Sequence, residues 1–142
     1  MFTYITLGSN DLARSAKFYD ATLGALGLKR CDIADESDWE DWIGWGTYED
    51  HGATELALWV CKPFDGLAAT VGNGTMVALR AKTWKAVENF HDLAVLNGGT
   101  SVGAPGLRTQ YNPDFYAAYV RDPDGHKIAA ICRGFTTADP QS

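Results

Sequence analysis

Four stretches of the chain alternate apolar and other residues with a period of two: Tyr4 to Gly8, Glu55 to Cys61, Met76 to Arg80 and Ile128 to Cys132. Such alternation predicts strands with two unlike faces. One parity collects Ile5, Leu7, Leu56, Leu58, Val60, Val77, Leu79, Ile128, Ala130 and Cys132. All are apolar, as a sheet face packed under helices requires. The other parity collects Tyr4, Thr6, Glu55, Ala57, Trp59, Met76, Ala78, Arg80, Ala129, Ile131 and Arg133. That mixed face predicts either a cup for a ligand or an interface. Two further stretches follow a helical period. Leu12, Ala16, Tyr19, Leu23 and Leu26 lie along one helix face, with Asn10 or Asp11 as N-cap and Gly24 or Gly27 closing the end. A second helix opens after Thr83, turns Val87, Phe90 or His91, and Ala94 inward, and stops at Asn97-Gly98-Gly99.

The pattern repeats. A shift of 72 places Thr3-Tyr4-Ile5 on Thr75-Met76-Val77, Phe18-Tyr19 on Phe90-His91 and Gly27 on Gly99. Each half reads as a strand, a helix, then a glycine that starts another extended stretch. We therefore expect a single domain, 1–142, built of a first module at about 2–62 and a second at about 74–133.

Composition narrows the class. With 46% hydrophobic and 12% aromatic residues the chain is rich enough in core formers to fold. Its formal charge is −6, and nine of its 18 carboxylates fall between Arg30 and Lys62, where no Lys or Arg occurs. Phosphate binding needs clustered cations, so no nucleic-acid partner is expected. Cys31, Cys61 and Cys132 show no C-x-x-C spacing and read as free thiols of a cytoplasmic protein. The N-terminus lacks a basic region before a long apolar one, and the longest apolar run, Leu56 to Cys61, falls short of the ~20 residues a membrane span needs. No membrane partner is expected. The polar tail, Thr136 to Ser142, reads as frayed.

Several motifs fail on context. Gly99-Thr-Ser101-Val-Gly103 fits G-x-S-x-G, but a helix precedes it and Ala104-Pro105-Gly106 follows, the reverse of a nucleophile elbow. Gly72-Asn-Gly74 lacks the rest of a dinucleotide fingerprint, and no Gly-Lys pair supports a P-loop. Of the histidines, His91 reads as a satisfied core or edge residue, and His51 and His126 as solvent-facing. The stretch Asp35 to Tyr48 is acidic and carries Trp39, Trp42, Trp45 and Tyr48; such rings pack against a core or wall a pocket for a flat or apolar ligand.

Taken together, Tyr4-Ile-Thr-Leu-Gly8, Asp11-Leu-Ala-Arg-Ser15, Phe18-Tyr19 and Leu26-Gly27-Leu28 resemble the opening of the vicinal oxygen chelate superfamily. That superfamily includes glyoxalase I, bleomycin-resistance proteins and extradiol dioxygenases. The second half agrees in Gly74-Thr-Met-Val-Ala-Leu79, Gly98-Gly99, Ala104-Pro105-Gly106-Leu-Arg108, Phe115-Tyr116-Ala-Ala-Tyr119 and Arg121-Asp-Pro-Asp-Gly125. The resemblance implies an α+β fold: two βαβββ modules forming a curled mixed sheet, a cup backed by helices, and often a homodimer. It also implies a divalent metal held from the cup face, at positions that fall here on Tyr4, Glu55, Met76 and Ala129. Of these four, only Glu55 is a usual ligand type.

The leading expectation is therefore a metal-free, cofactor-free protein that binds a small molecule in the cup. Tyr4, Thr6, Glu55, Trp59 and Met76 would line it, with Arg80, Arg108 and Tyr111 near its mouth. Glu55 would meet a cationic or hydrogen-bonding group, while Trp59 and Met76 give adaptable apolar contact. One alternative makes Glu55 a catalytic general base beside Tyr4, desolvated among Ala57, Met76 and Ala129. Another is a divalent-metal enzyme with rewired ligands, such as Glu55 with His51 or a histidine of a second copy. In the last, the mixed face is an assembly surface with no ligand.

Overall fold

The computed structural model describes residues 1–36 and 38–136; most of the tail read as frayed lies outside the described residues. Both helices begin where a side chain accepts a hydrogen bond from an otherwise unpaired backbone N–H. Asp11 accepts from the Arg14 amide at 3.0 Å and starts α1 (Leu12–Ala25). Thr83 does the same for the Ala86 amide at 3.0 Å and starts α2 (Trp84–Leu96). Gly27 and Gly98, just past the helix ends, take the left-handed conformation that turns the chain back.

Around the helices run seven strands: β1 (Tyr4–Gly8), β2 (Trp42–Glu49), β3 (Thr54–Cys61), β4 (Met76–Arg80), β5 (Thr100–Leu107), β6 (Phe115–Arg121) and β7 (Lys127–Arg133). They form two sheets, ordered β1-β3-β2 and β4-β7-β6-β5. In each, the first strand of the module runs parallel to its last, and the other pairings are antiparallel. The second sheet completes the βαβββ plan. In the first, the strand expected after α1 is reduced to one bridge, Arg30 to Trp45, flanked by bonds from the Cys31 amide to Gly44 O and from the Gly46 amide to Lys29 O.

The apolar parity builds one core across both modules: Leu7, Leu58 and Val60 join Val77, Ile128 and Ala130, with Tyr19, Leu23, Val87 and Phe90 from the helices. Two expectations are corrected. Leu56 lies beyond the helical cover and is 63% exposed. The buried stripe of α1 is Ser15, Phe18, Tyr19, Thr22 and Leu23, because α1 packs along α2 as well as against its own sheet. Leu12, Ala16 and Leu26 sit at the margins of that stripe, half-buried.

The turn between β6 and β7 ties the modules together. Tyr19 donates its hydroxyl to Asp122 at 2.6 Å, and Asp122 also accepts from the Asp124 and His126 amides. Asp124 in turn accepts from Arg14, Ser15 and the Asn10 amide. His126 does not simply face solvent: its Nε2 donates to the carbonyl of Gly8 at 2.7 Å. Burial, with the adjacent Asp122 charge, pushes the Tyr19 hydroxyl well above the usual tyrosine range, and burial pushes Asp122 up from its usual range. His91 is half-buried and bonded through Nε2 to the Ser101 hydroxyl at 2.7 Å. Among the described residues no helix is long and apolar enough to cross a membrane.

Candidate functional site

On the mixed face of the first module, β2 and β3 pair Gly44 with Trp59, Gly46 with Ala57 and Tyr48 with Glu55. A side chain at Gly44 would collide with the six-membered ring of Trp59, so glycine is what lets that indole lie against β2. The Trp59 ring is almost wholly buried, and its Nε1 donates to Glu55 Oε2 at 2.8 Å. Floor and carboxylate are thus fixed to one another.

The acidic loop before β2 supplies Trp39 to the walls, and β2 itself supplies Trp42 and Tyr48. Trp39 meets Trp59 at 5.3 Å between ring centroids and 85° between planes; Tyr48 does so at 5.5 Å and 87°, and Trp42 at 6.3 Å and 75°. Tyr48 donates to Glu36 Oε1 at 2.8 Å, and His51 Nδ1 bonds to the same oxygen at 2.9 Å. These rings, with Tyr4, Asp38, His51, Gly52 and Glu55, enclose an open cavity of about 620 Å³. Of Asp38, Asp50 and His51, the non-glycine residues of the described chain with positive φ, Asp38 and His51 border it. Backbone held in that region stores strain that the surrounding contacts must hold in place.

The cavity is electrically one-sided. Burial, then the bond to Glu36 and the nearby Glu55 charge, push the Tyr48 hydroxyl up to about 12. Burial and the Glu55 charge push the Cys31 thiol, behind Trp59, up to about 11. The bonds from Tyr48 and His51 hold Glu36 below the usual carboxylate range. Among the described residues, no Lys or Arg lines the space. The flanking cations are engaged elsewhere, Arg30 with Asp20 and Lys62 with Asp41.

Of the residues expected from sequence, Tyr4, Glu55 and Trp59 are brought together here. Met76 lies in a different groove of about 640 Å³, whose lining includes Phe2, Tyr4, Leu56 and Arg80, so it shares only Tyr4 with the cavity. Thr6 faces a third hollow beside Trp42, Cys61 and Phe64. Arg108 belongs to the second module, bonding the carbonyls of Gly106 and Ala104 and lying 5.5 Å over the Tyr119 ring. Tyr111 is exposed and packs on Phe115. The alternation pattern gave no sign of Asp38, Gly52 or Glu36; their signal was the run of acid and Trp without a cation.

The four positions at which the resemblance places a metal hold a phenol, a carboxylate, a thioether and a methyl group. Ala129 is fully buried, and His51 Nδ1 is bonded to Glu36 rather than turned to Glu55. Among the described residues, no three His, Cys, Asp or Glu side chains converge. That donor set does not fit a divalent metal.

Residues 2–130 match the family model of the glyoxalase/bleomycin resistance protein/dioxygenase superfamily. The structure is similar to a glyoxalase/bleomycin resistance protein from Albidiferax ferrireducens T118, at 34% identity and a TM-score of 0.76 over 94% of this chain and 99% of that one. A glyoxalase-related enzyme from Fulvimarina pelagi is similar at 20% identity and a TM-score of 0.67, over 94% and 88% of the two chains. A family enzyme from Burkholderia phytofirmans PsJN is similar at 17% and 0.68, over 93% and 98%. At such identities the last two speak for the fold alone. No curated protein matches the sequence significantly. The α+β pair of modules and the match along nearly the whole chain have one reading: this protein belongs to the glyoxalase/bleomycin resistance protein/dioxygenase superfamily.

Proposed function

We propose that the protein binds a small molecule in the first-module cavity, against Trp39, Trp42 and Tyr48 and beside Glu55, without a resident metal. The observation that carries this is the built floor: Gly44 seats the Trp59 ring, and that ring's own N–H fixes the Glu55 carboxylate at the cavity. A large open space bounded by prepositioned aromatic and polar groups is the usual form of a ligand site. The test is a fragment screen of mixed charge, read from the indole N–H resonances of Trp39, Trp42 and Trp59. Saturable shifts confined to those signals are expected; a library that moves none of them removes the reading. Metal analysis of tag-free protein grown with several divalent metals tests the other half, and a stoichiometric metal would overturn it.

A homodimer is the second part of the proposal. Strands β1 and β4 each end a sheet, and Phe2, Tyr4, Leu56 and Met76 leave apolar surface exposed along the groove between them. Unpaired edges beside exposed apolar side chains favour burial by another chain. Three buried, unpaired thiols support a cytoplasmic setting.

A further inference from the structure

Resting on that reading of the cavity, we propose that the ligand group it takes is an alkylated ammonium cation. Trp39, Trp42 and Tyr48 pack nearly upright on the buried Trp59, at 85°, 75° and 87°, with Trp39 tilted by 38° and 48° against the other two, and their half-buried rings border the space. Rings set this way form a wall along one side of the space rather than a stack. An aromatic face is the negative part of its quadrupole, so a wall of rings attracts a cation.

The charges point the same way. Glu55 Oε2 is taken by the Trp59 indole, whereas Oε1 has no hydrogen-bond partner among the described residues. Glu55 has no ion-pair partner there either, and the rim carries Asp38. Glu36 is engaged through Oε1 by both Tyr48 and His51. With Arg30 and Lys62 paired outside and His51 taken by Glu36, Glu55 and Asp38 face the cavity with no ion-pair partner among the described residues. A neutral aromatic ligand would leave that imbalance uncorrected, and an anion would worsen it.

The degree of alkylation follows from the number of acceptors. A primary ammonium carries three N–H donors, and losing its hydration is costly unless each finds an acceptor. Beside the indole and phenol walls Glu55 offers one free oxygen, and the Asp38 carboxylate is exposed to water. An ammonium whose hydrogens are replaced by methyl groups is weakly hydrated and gains from the ring faces.

The test is calorimetric titration of the full chain with choline, with ethanolamine as its unmethylated counterpart and with 3,3-dimethylbutan-1-ol, which keeps the shape but replaces nitrogen by carbon. Choline should bind about tenfold tighter than either, the scale expected of a desolvated cation over aromatic rings. Glu55→Gln keeps an oxygen for the Trp59 indole and removes only the charge. It should weaken choline about tenfold and leave the neutral alcohol unchanged. Trp39→Leu, at the loop wall, gives a second variant that does not disturb the strands. Choline no tighter than the alcohol, or a choline affinity unmoved by both variants, overturns the proposal. If neutral or anionic fragments shift the three indole signals while choline does not, the ammonium assignment falls and the small-molecule reading stands. If nothing shifts them, both fall.

Discussion

The pairing of Gly44 with Trp59 is where one hydrogen atom decides the shape of the site. A methyl at Gly44 would run into the indole, and Trp59 cannot retreat, because its N–H is held by Glu55 and its ring is buried. Gly44→Ala should therefore cost about 1–3 kcal/mol as an overpacked site and reorder the Trp39–Trp42–Trp59 cluster. Thermal unfolding and near-ultraviolet circular dichroism would show it, and a variant with unchanged spectrum and midpoint would show that Trp59 is free to move. Tyr19 decides a different question. Its buried hydroxyl is the donor to Asp122, so Tyr19→Phe should cost about 1.5–3 kcal/mol in denaturant, the range for a hydrogen bond to a charged group. The folded protein holds the Tyr19 proton well above the pH at which a free tyrosine loses it. The unfolded chain releases that proton first, so this stabilisation is complete below about pH 10 and declines as pH rises beyond it. Tyr48 and Cys31 add to the same alkaline loss, so the diagnostic is the difference in slope: Tyr19→Phe should fall less steeply than the parent above pH 10. Parallel slopes would exclude Tyr19 as a contributor. At this scale the sequence was legible for Tyr4, Glu55 and Trp59, because strand parity alone puts them on one face. Asp38 reaches the cavity, and Glu36 reaches the Tyr48 and His51 that line it, through loop geometry, and no periodicity encodes that.

Among the elements, visibility tracked how each is buried. Strands β1, β3, β4 and β7 have one face toward the helices and one toward the cup, so their period of two is written in the residues. Strand β6 runs between β5 and β7 and is buried on both faces from Phe115 to Ala118, which erases alternation. Strand β5 is an exposed edge containing Gly103, Pro105 and Gly106, with two register shifts against β6. Its glycines and proline break any alternation, so the repeat alone marks an extended stretch after Gly99. In β2, Gly44 and Gly46 occupy positions where an alternating pattern would show side chains. The helix starts were legible because capping is local chemistry. Thr83→Ala removes the acceptor for the Ala86 amide and should cost about 1 kcal/mol, with Thr83→Ser restoring most of it. Equal denaturation midpoints for parent and Thr83→Ala would mean that water replaces the cap without loss.

For the molecule as a whole, parity names a face but not a distance, which is why Met76 and Glu55 share a face by pattern and lie in separate hollows in the chain. The two sheets are not joined edge to edge; the modules meet through α1, α2 and the turn at Asp122–Gly125. Their charges differ in sign. Residues 2–62 carry eleven carboxylates against five Lys and Arg, whereas residues 74–133 carry seven Lys and Arg against five carboxylates. Two copies related by a two-fold axis can set each acidic module against the other copy's basic one, satisfying both contacts at once. The edges of β1 and β4, with Leu56 and Met76 exposed beside them, would give that contact an apolar centre. The homodimer proposed above should therefore respond to both terms. Its dissociation constant, from light scattering across a concentration series, should rise with added salt as screening weakens the module-to-module attraction. Leu56→Asp places a negative charge in the groove on the already acidic module and should give monomers at concentrations where the parent is dimeric. A parent that stays monomeric throughout removes the dimer. A dimer indifferent to both salt and Leu56→Asp moves its interface away from these edges.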